Sequence, residues 1–347
     1  MFARIKKFLG RAKPETSPPA IQETKPSQFP ANFHSSSSAA PAPLFYWMRH
    51  GPSNANVIYN ACKKRTQKNN TRPITKKECN AAIKQITNLS STRKAINNNL
   101  AQMSPVGKML TKIKTSRIFA HTKIFNPDLS ADGIKAVKAL LEKVKASSNN
   151  IKSSGTVISN NKPAGAIAKF DIKLDNTIIF CSTLIRAIET GLLAFDRNTV
   201  DYRFCNFVDE VKLSELTDEQ IRNSVFVIPY IKESGVIDTL DNLTSTLDNT
   251  NTVLTDFYKN TKESNTKPEL EIAGGSVWFN ELRNKVSRSR FYGLANKYFP
   301  ELQQRGYKII VISHEHTIKK FTGISKKEPM PNLSIIPNPP ERITHNA

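Results

Sequence analysis

Leu44-Phe45-Tyr46-Trp47-Met48-Arg49-His50-Gly51-Pro52-Ser53-Asn54-Ala55-Asn56 is the stretch on which the fold turns. Five apolar residues run into Arg-His-Gly, and a polar turn follows. A short apolar run bounded by Gly and Pro reads as a buried strand. Such a strand would carry a guanidinium and an imidazole to the carboxyl end of a sheet, where α/β proteins build their sites. Gly51 lets a ligand approach the backbone closely, and Ser53 and Asn56 add short hydrogen-bonding side chains in the same turn. The plainer reading is a strand end with a surface histidine, and the rest of the chain decides between the two.

Working outward, three more apolar runs read as strands: 177–181, 225–231 and 307–312, beside 44–49 itself. Pro229 marks the third as an edge or bulged strand. Asn126-Pro127-Asp128-Leu129-Ser130 precedes a helix over 131–145, with Ile134, Val137, Leu140, Leu141 and Val144 on one face and Ser130 as N-cap. The run 177–181 opens into Ser182-Thr183-Leu184-Ile185-Arg186-Ala187-Ile188-Glu189-Thr190 and a helix to about residue 195. The N–H groups at that helix start are expected to face an anion, and Arg186, a cation opposing the dipole, asks for an anionic partner. Residues 147–176 read as loop or hairpin, and 244–252 as loop. An amphipathic helix is expected over 276–298 on Trp278, Leu282, Val286, Phe291 and Leu294. The run 307–312 leads into Ser313-His314-Glu315-His316 and a helix to about 321. A Pro-rich tail begins at 325, with a last short strand near 333–336.

With 347 residues the chain holds one large or two small domains. Its net charge of +22 is unevenly placed. Residues 57–127 carry fifteen Lys/Arg against one acid, Glu78, whereas 128–347 carry 29 basic and 26 acidic residues. Such a field attracts phosphates, nucleic acid or anionic membrane without choosing among them, and a solvated basic surface is the plainer account. Residues 1–13 place Phe2, Ile5, Phe8 and Leu9 on one helical face, which suits a membrane surface, a targeting peptide or a solvated terminus. Residues 14–43 are rich in Pro, Ser and Ala and read as a disordered linker. The expected organisation is therefore a disordered segment 1–43, a domain over 44–337 with a basic insertion at about 57–127, and a tail 338–347. The four cysteines lack zinc-ligand spacing, a reducing cytoplasmic setting fits them, and no apolar run reaches transmembrane length.

Three strand ends thus carry Arg-His, Arg and His in that order, and here the chain resembles the histidine phosphatase superfamily, the phosphoglycerate mutase-like proteins. Arg49-His50-Gly51 with Ser53 and Asn56 resembles the family's first motif. Asp128-Leu129-Ser130 with Gly133 resembles its Asp-x-x-Leu-Thr-x-x-Gly helix start. Ser182-x-Leu-x-Arg186-Ala187-x-Glu-Thr190 is similar to its second-arginine motif, Ile231-Lys232-Glu233 to the segment supplying the acid, Ser313-His314 to the second-histidine motif, and Asn332-Leu333-Ser334 to the closing strand. The resemblance covers roughly 44–56 and 128–337. The chain departs from the pattern in its long basic stretch, in Pro52, and in Glu315, which stands where a small Gly is common and would put a carboxylate near the phosphate.

The resemblance implies a phosphoglycerate mutase-like fold: a three-layer α/β/α sandwich with a mostly parallel central sheet. It also implies two-step phosphoryl transfer through a phosphohistidine on His50, without metal or cofactor. Arg49, Ser53, Asn56, Arg186 and His314 would bind the phosphate, with His314 a third positive donor if protonated. Glu233 would be the acid, with Glu210 and Glu215 as alternatives. Two arginines and two histidines suffice chemically, because phosphoryl transfer is mostly positioning and charge stabilisation. The run at the acid lacks the extra Arg and His of the mutases, so a phosphatase acting on a phosphorylated small molecule or phosphoprotein is favoured over a mutase-type phosphotransferase. A catalytically inactive phosphate-binding protein, or a basic interaction protein contacting an anionic surface through 1–13 and 57–127, is the other alternative. Oligomeric state is not legible.

Overall fold

The four apolar runs stand side by side in the middle of one sheet. The computed structural model of the chain describes residues 43–57, 126–149, 167, 169–205, 211–233, 247–261, 269–274 and 286–339. The expectations for 1–42, for most of the basic stretch, for Glu210, for Trp278 and Leu282, and for the last residues of the tail lie outside these.

In chain order the elements are β1 (Tyr46–Arg49), α1 (Ala131–Asn149), β2 (Thr177–Ser182), α2 (Ile185–Ala194), β3 (Thr199–Asp201), α3 (Asp218–Asn223), β4 (Ser224–Ile228), α4 (Leu247–Thr261), β5 (Glu271–Ala273), α5 (Arg288–Gln304), β6 (Lys308–Ser313), α6 (Glu315–Thr322) and β7 (Ile335–Pro337). The sheet runs β5-β3-β4-β2-β6-β1-β7. Every neighbouring pair is parallel except β1 with β7.

Strand side chains alternate between the two faces. Met48, Ile179, Cys181, Val225, Val227, Ile310 and Ile312 join residues of α1, α2 and α4 in one core. Trp47, Ile178, Phe180, Phe226, Ile228, Ile309 and Val311 join residues of α3, α5 and α6 in the other. Helices therefore cover both faces, and the layers are α/β/α. Burial on both faces explains why the central strands read as unbroken apolar runs rather than alternating ones. The second core is aromatic: Phe45 meets Trp47, Phe291 and Phe299 edge-on at 5.3, 5.6 and 5.4 Å between ring centroids.

Four expectations need correction. β4 lies between β3 and β2, not at an edge. Pro229 does not interrupt it, because the strand stops at Ile228 and the proline opens a 3-10 turn, Pro229–Ile231, where a missing N–H costs nothing. Residues from Leu247 onward are helix, not loop. Their Thr and Asn content disfavours a helix, but Val253, Leu254, Phe257 and Tyr258 are buried at helical spacing, and packing overrides propensity. Of the helix expected over 276–298, residues 276–285 lie outside the described residues; within them α5 starts at Arg288, capped by Ser287 through the Arg290 N–H, and runs on to Gln304. β3 and β5, three residues each, carried no readable signal.

Two features lock the region around Gly51. Ser130 caps α1 by accepting the Gly133 N–H at 3.0 Å, and its own N–H bonds the Pro52 carbonyl at 3.0 Å. An antiparallel bridge joins Ser53 to Leu129, and the Asn54 N–H donates to the Asp128 carbonyl at 2.9 Å. The two ends of the basic stretch are thereby held together beside the strand that carries His50.

Candidate active site

Register assembles the site. β1 pairs with β6 so that Arg49 lies opposite Ser313, and the next residues in each strand direction are His50 and His314. The His50 N–H bonds the Ser313 carbonyl at 3.0 Å, and the two rings lie 5.0 Å apart. β2 flanks β6 on its other side and ends at Ser182, whose hydroxyl lies 2.8 Å from His314 Nε2. β4 ends next to β2 and delivers the 3-10 turn, Lys232 and Glu233. That segment is tied down where the Ile231 carbonyl accepts the Ser313 hydroxyl at 2.6 Å and the Lys232 carbonyl accepts the Thr317 hydroxyl at 2.5 Å. His50, Arg186, Glu233 and His314 thus meet at the carboxyl ends of the parallel strands.

His50 is buried, and its Nδ1 lies 2.6 Å from the Gly51 carbonyl oxygen. A carbonyl only accepts, so Nδ1 carries the hydrogen and Nε2 keeps its lone pair. Arg186 Nε lies 3.4 Å from that lone pair. Burial, then Arg186 and Arg49, push the His50 pKa well below its ordinary 6.5, so the ring is neutral at pH 7. His314 is fully buried, and burial followed by Arg186, His50, Arg49 and Lys232 lowers its pKa well below 6.5 too. Cations surround the ring and water does not reach it, so the condition under which His314 would be a third positive donor is opposed by its own surroundings. Its Nδ1 lies 3.5 Å from Glu233 Oε2 and makes no hydrogen bond among the described residues.

Glu233 spans the site. Oε2 faces His314 and, at 3.8 Å, Arg186 Nη2. Oε1 accepts from the His316 backbone N–H at 3.3 Å and lies 3.2 Å from His316 Nδ1. Glu215, the alternative acid, pairs with Lys212 on an exposed 3-10 helix. Arg49 donates to the Met330 carbonyl and pairs with Glu315 at 2.8 Å, while its buried Nε makes no hydrogen bond among the described residues.

The other expected residues sit around this cluster. The Ser53 hydroxyl donates to Asn56 Oδ1 at 3.1 Å, and the Ser53 N–H donates to the same oxygen at 3.0 Å, so this pair closes the turn on itself. The start of α2 is not the open anion cradle expected of it. The Ile185 N–H donates to Asn126 Oδ1 at 2.8 Å and the Leu184 N–H to the Ser182 hydroxyl at 3.3 Å, and it is the Arg186 side chain that reaches His50 and Glu233. Glu189 accepts the Leu129 N–H at 2.6 Å, and Thr190 accepts the Gly51 N–H at 3.0 Å, so these motif residues hold turns in place. Sequence reasoning missed Ser182 as the partner of His314, His316 as the partner of Glu233, and Asn332, whose Nδ2 bonds the His50 carbonyl at 2.8 Å. Adjacency to a motif residue was the only signal for the first two.

His50, Glu233 and His314 bring ligating atoms within 4.8 Å of one another, a spacing that suits a metal ion, but Arg49 and Arg186 beside them make the local field unfavourable to a cation. A polyatomic anion suits the set better. The buried Arg49 Nε and His314 Nδ1 make no hydrogen bond among the described residues, and each such group is costly unless something satisfies it. No protein-family model matches this chain, and no curated protein or solved structure matches it either.

Proposed function

We propose that this protein is a phosphomonoesterase with a phosphoglycerate mutase-like fold, working through a phosphohistidine on His50. The observation that carries the reading is the His50 ring: its tautomer is set by the Gly51 carbonyl, its Nε2 is unprotonated, and Arg186 and His314 stand beside it.

In the first step the Nε2 lone pair attacks phosphorus and the bond from phosphorus to the leaving oxygen breaks. Arg49 and Arg186 balance charge on the equatorial oxygens, and Glu233 gives its proton to the leaving oxygen. In the second step water attacks phosphorus, Glu233 takes a proton from it, and the P–N bond breaks to return neutral His50 and phosphate. A dianion held against His314 would offset the cations that keep that ring neutral, so proton uptake there on binding accords with this scheme. The segment Ile231-Lys232-Glu233 brings no further Arg or His to the site, which favours hydrolysis over the return of the phosphoryl group to a second hydroxyl.

The test is hydrolysis of p-nitrophenyl phosphate in EDTA, with an acid-labile phosphoryl-enzyme trapped by rapid quench. His50→Ala should abolish both. Arg186→Ala should raise the barrier by about 3–4 kcal/mol, as for loss of a charged transition-state donor. Vanadate binding without turnover would make the protein a phosphate binder rather than an enzyme.

A further inference from the structure

Arg49 is already engaged by an anion. Glu315, the first residue of α6, places Oε2 2.8 Å from Arg49 Nη1. Its other oxygen lies 2.6 Å from Lys319 Nζ, one helical turn further on. Lys319 is buried, and its ammonium also donates to the Lys326 carbonyl at 3.3 Å. The pair with Lys319 keeps the Glu315 carboxylate at the site whether or not Arg49 holds it. Any oxyanion that uses Arg49 must therefore share it with, or take it from, a carboxylate that Lys319 also holds.

Resting on the phosphate reading above, we propose that Glu315 is the residue that limits how tightly this site holds phosphate: it competes with the phosphoryl oxygens for Arg49 and so speeds release of the inorganic phosphate product. The competing carboxylate is partly exposed, at 26 % of its side chain, and Arg49 is more buried, at 15 %. A charge-assisted pair in such surroundings corresponds to about a five- to tenfold effect on affinity.

The experiment is calorimetric titration of the full chain with inorganic phosphate, in parallel with product inhibition of p-nitrophenyl phosphate hydrolysis, for wild type and Glu315→Gln. The amide oxygen of Gln still accepts from Lys319, so the buried ammonium keeps a partner. The variant should bind phosphate about five- to tenfold more tightly and show a correspondingly lower inhibition constant. Unchanged affinity overturns the proposal and leaves the phosphatase reading standing. Weaker affinity overturns it too, by showing that Glu315 orients Arg49 for phosphate instead of competing with it. Failure of both proteins to bind phosphate overturns both readings. Should Glu315→Gln lack a cooperative melt, Glu315→Ser takes its place with the same outcomes.

Discussion

At the scale of single residues, the buried imidazoles make the protein sensitive to acid. His50 and His314 have pKa values lowered first by burial and then by Arg186. The unfolded chain protonates these rings near pH 6.5 and the folded chain does not, so the unfolded state binds more protons and stability rises with pH. The contribution is full above the unfolded value and is lost progressively as pH falls below it, at up to about 1.4 kcal/mol per pH unit for each ring. His316 runs the other way: its hydrogen bond to Glu233 raises its pKa, so its contribution is full below 6.5 and fades as pH climbs through the raised value. It is largely exposed, and the two buried rings dominate. Urea midpoints should therefore fall steeply from pH 7 to pH 5, and His50→Asn with His314→Asn should flatten the slope. A wild-type midpoint that does not move over this range would contradict the burial argument. Glu233 carries a kinetic expectation: Glu233→Gln should slow esters of poor leaving groups far more than p-nitrophenyl phosphate, because only the former need the proton. Equal slowing of both would move the acid elsewhere.

At the scale of elements, α1 is the support of the turn that follows His50. A Cβ at Gly133 would stand 1.9 Å from the Pro52 carbonyl oxygen, which is the acceptor for the Ser130 N–H and hydroxyl. Gly133→Ala must push α1 or the turn outward. It should cost about 1–3 kcal/mol of stability and lower phosphate affinity as well, read by urea melts and calorimetry on the same sample. Stability lost without any change in affinity would mean that the turn moves independently of His50. The central elements were legible in the sequence because burial on both faces turns a strand into a continuous apolar run, as at 177–181 and 307–312. The convergence of the candidate site's residues was legible for a related reason: the parallel register brings strand ends together, so residues that follow apolar runs become neighbours. β3 and β5 are too short to show a pattern. α4 is built from Thr, Asn and Asp, residues that favour turns when no core is in view. What escaped at the site was pairing. Nothing in Ser-His-Glu-His says that Glu315 meets Arg49 while His316 meets Glu233.

At the scale of the whole molecule, charge is concentrated in one stretch, with fifteen Lys/Arg and one acid between 57 and 127. Its ends lie beside the site, where Ser53 bridges Leu129 and Asn54 bonds Asp128 through backbone and side chain. A field of this sign raises encounter rates with anions and is screened over about 8–10 Å at physiological salt. The kcat/KM for a phosphopeptide should fall with ionic strength more steeply than that for a small ester. Replacing 60–124 by a few Gly and Ser should remove that difference, and identical salt profiles before and after would deny the stretch any part in substrate choice. The bridge has a further meaning for how such a chain can change over time. Because its two sides are stitched together at Ser53 and Leu129, the segment between them leaves and rejoins at one seam. Whatever is spliced into that seam can grow, shrink or be exchanged while the α/β framework folds around an unchanged joint, at a closure cost that rises by only about 0.6 kcal/mol for each doubling of its length.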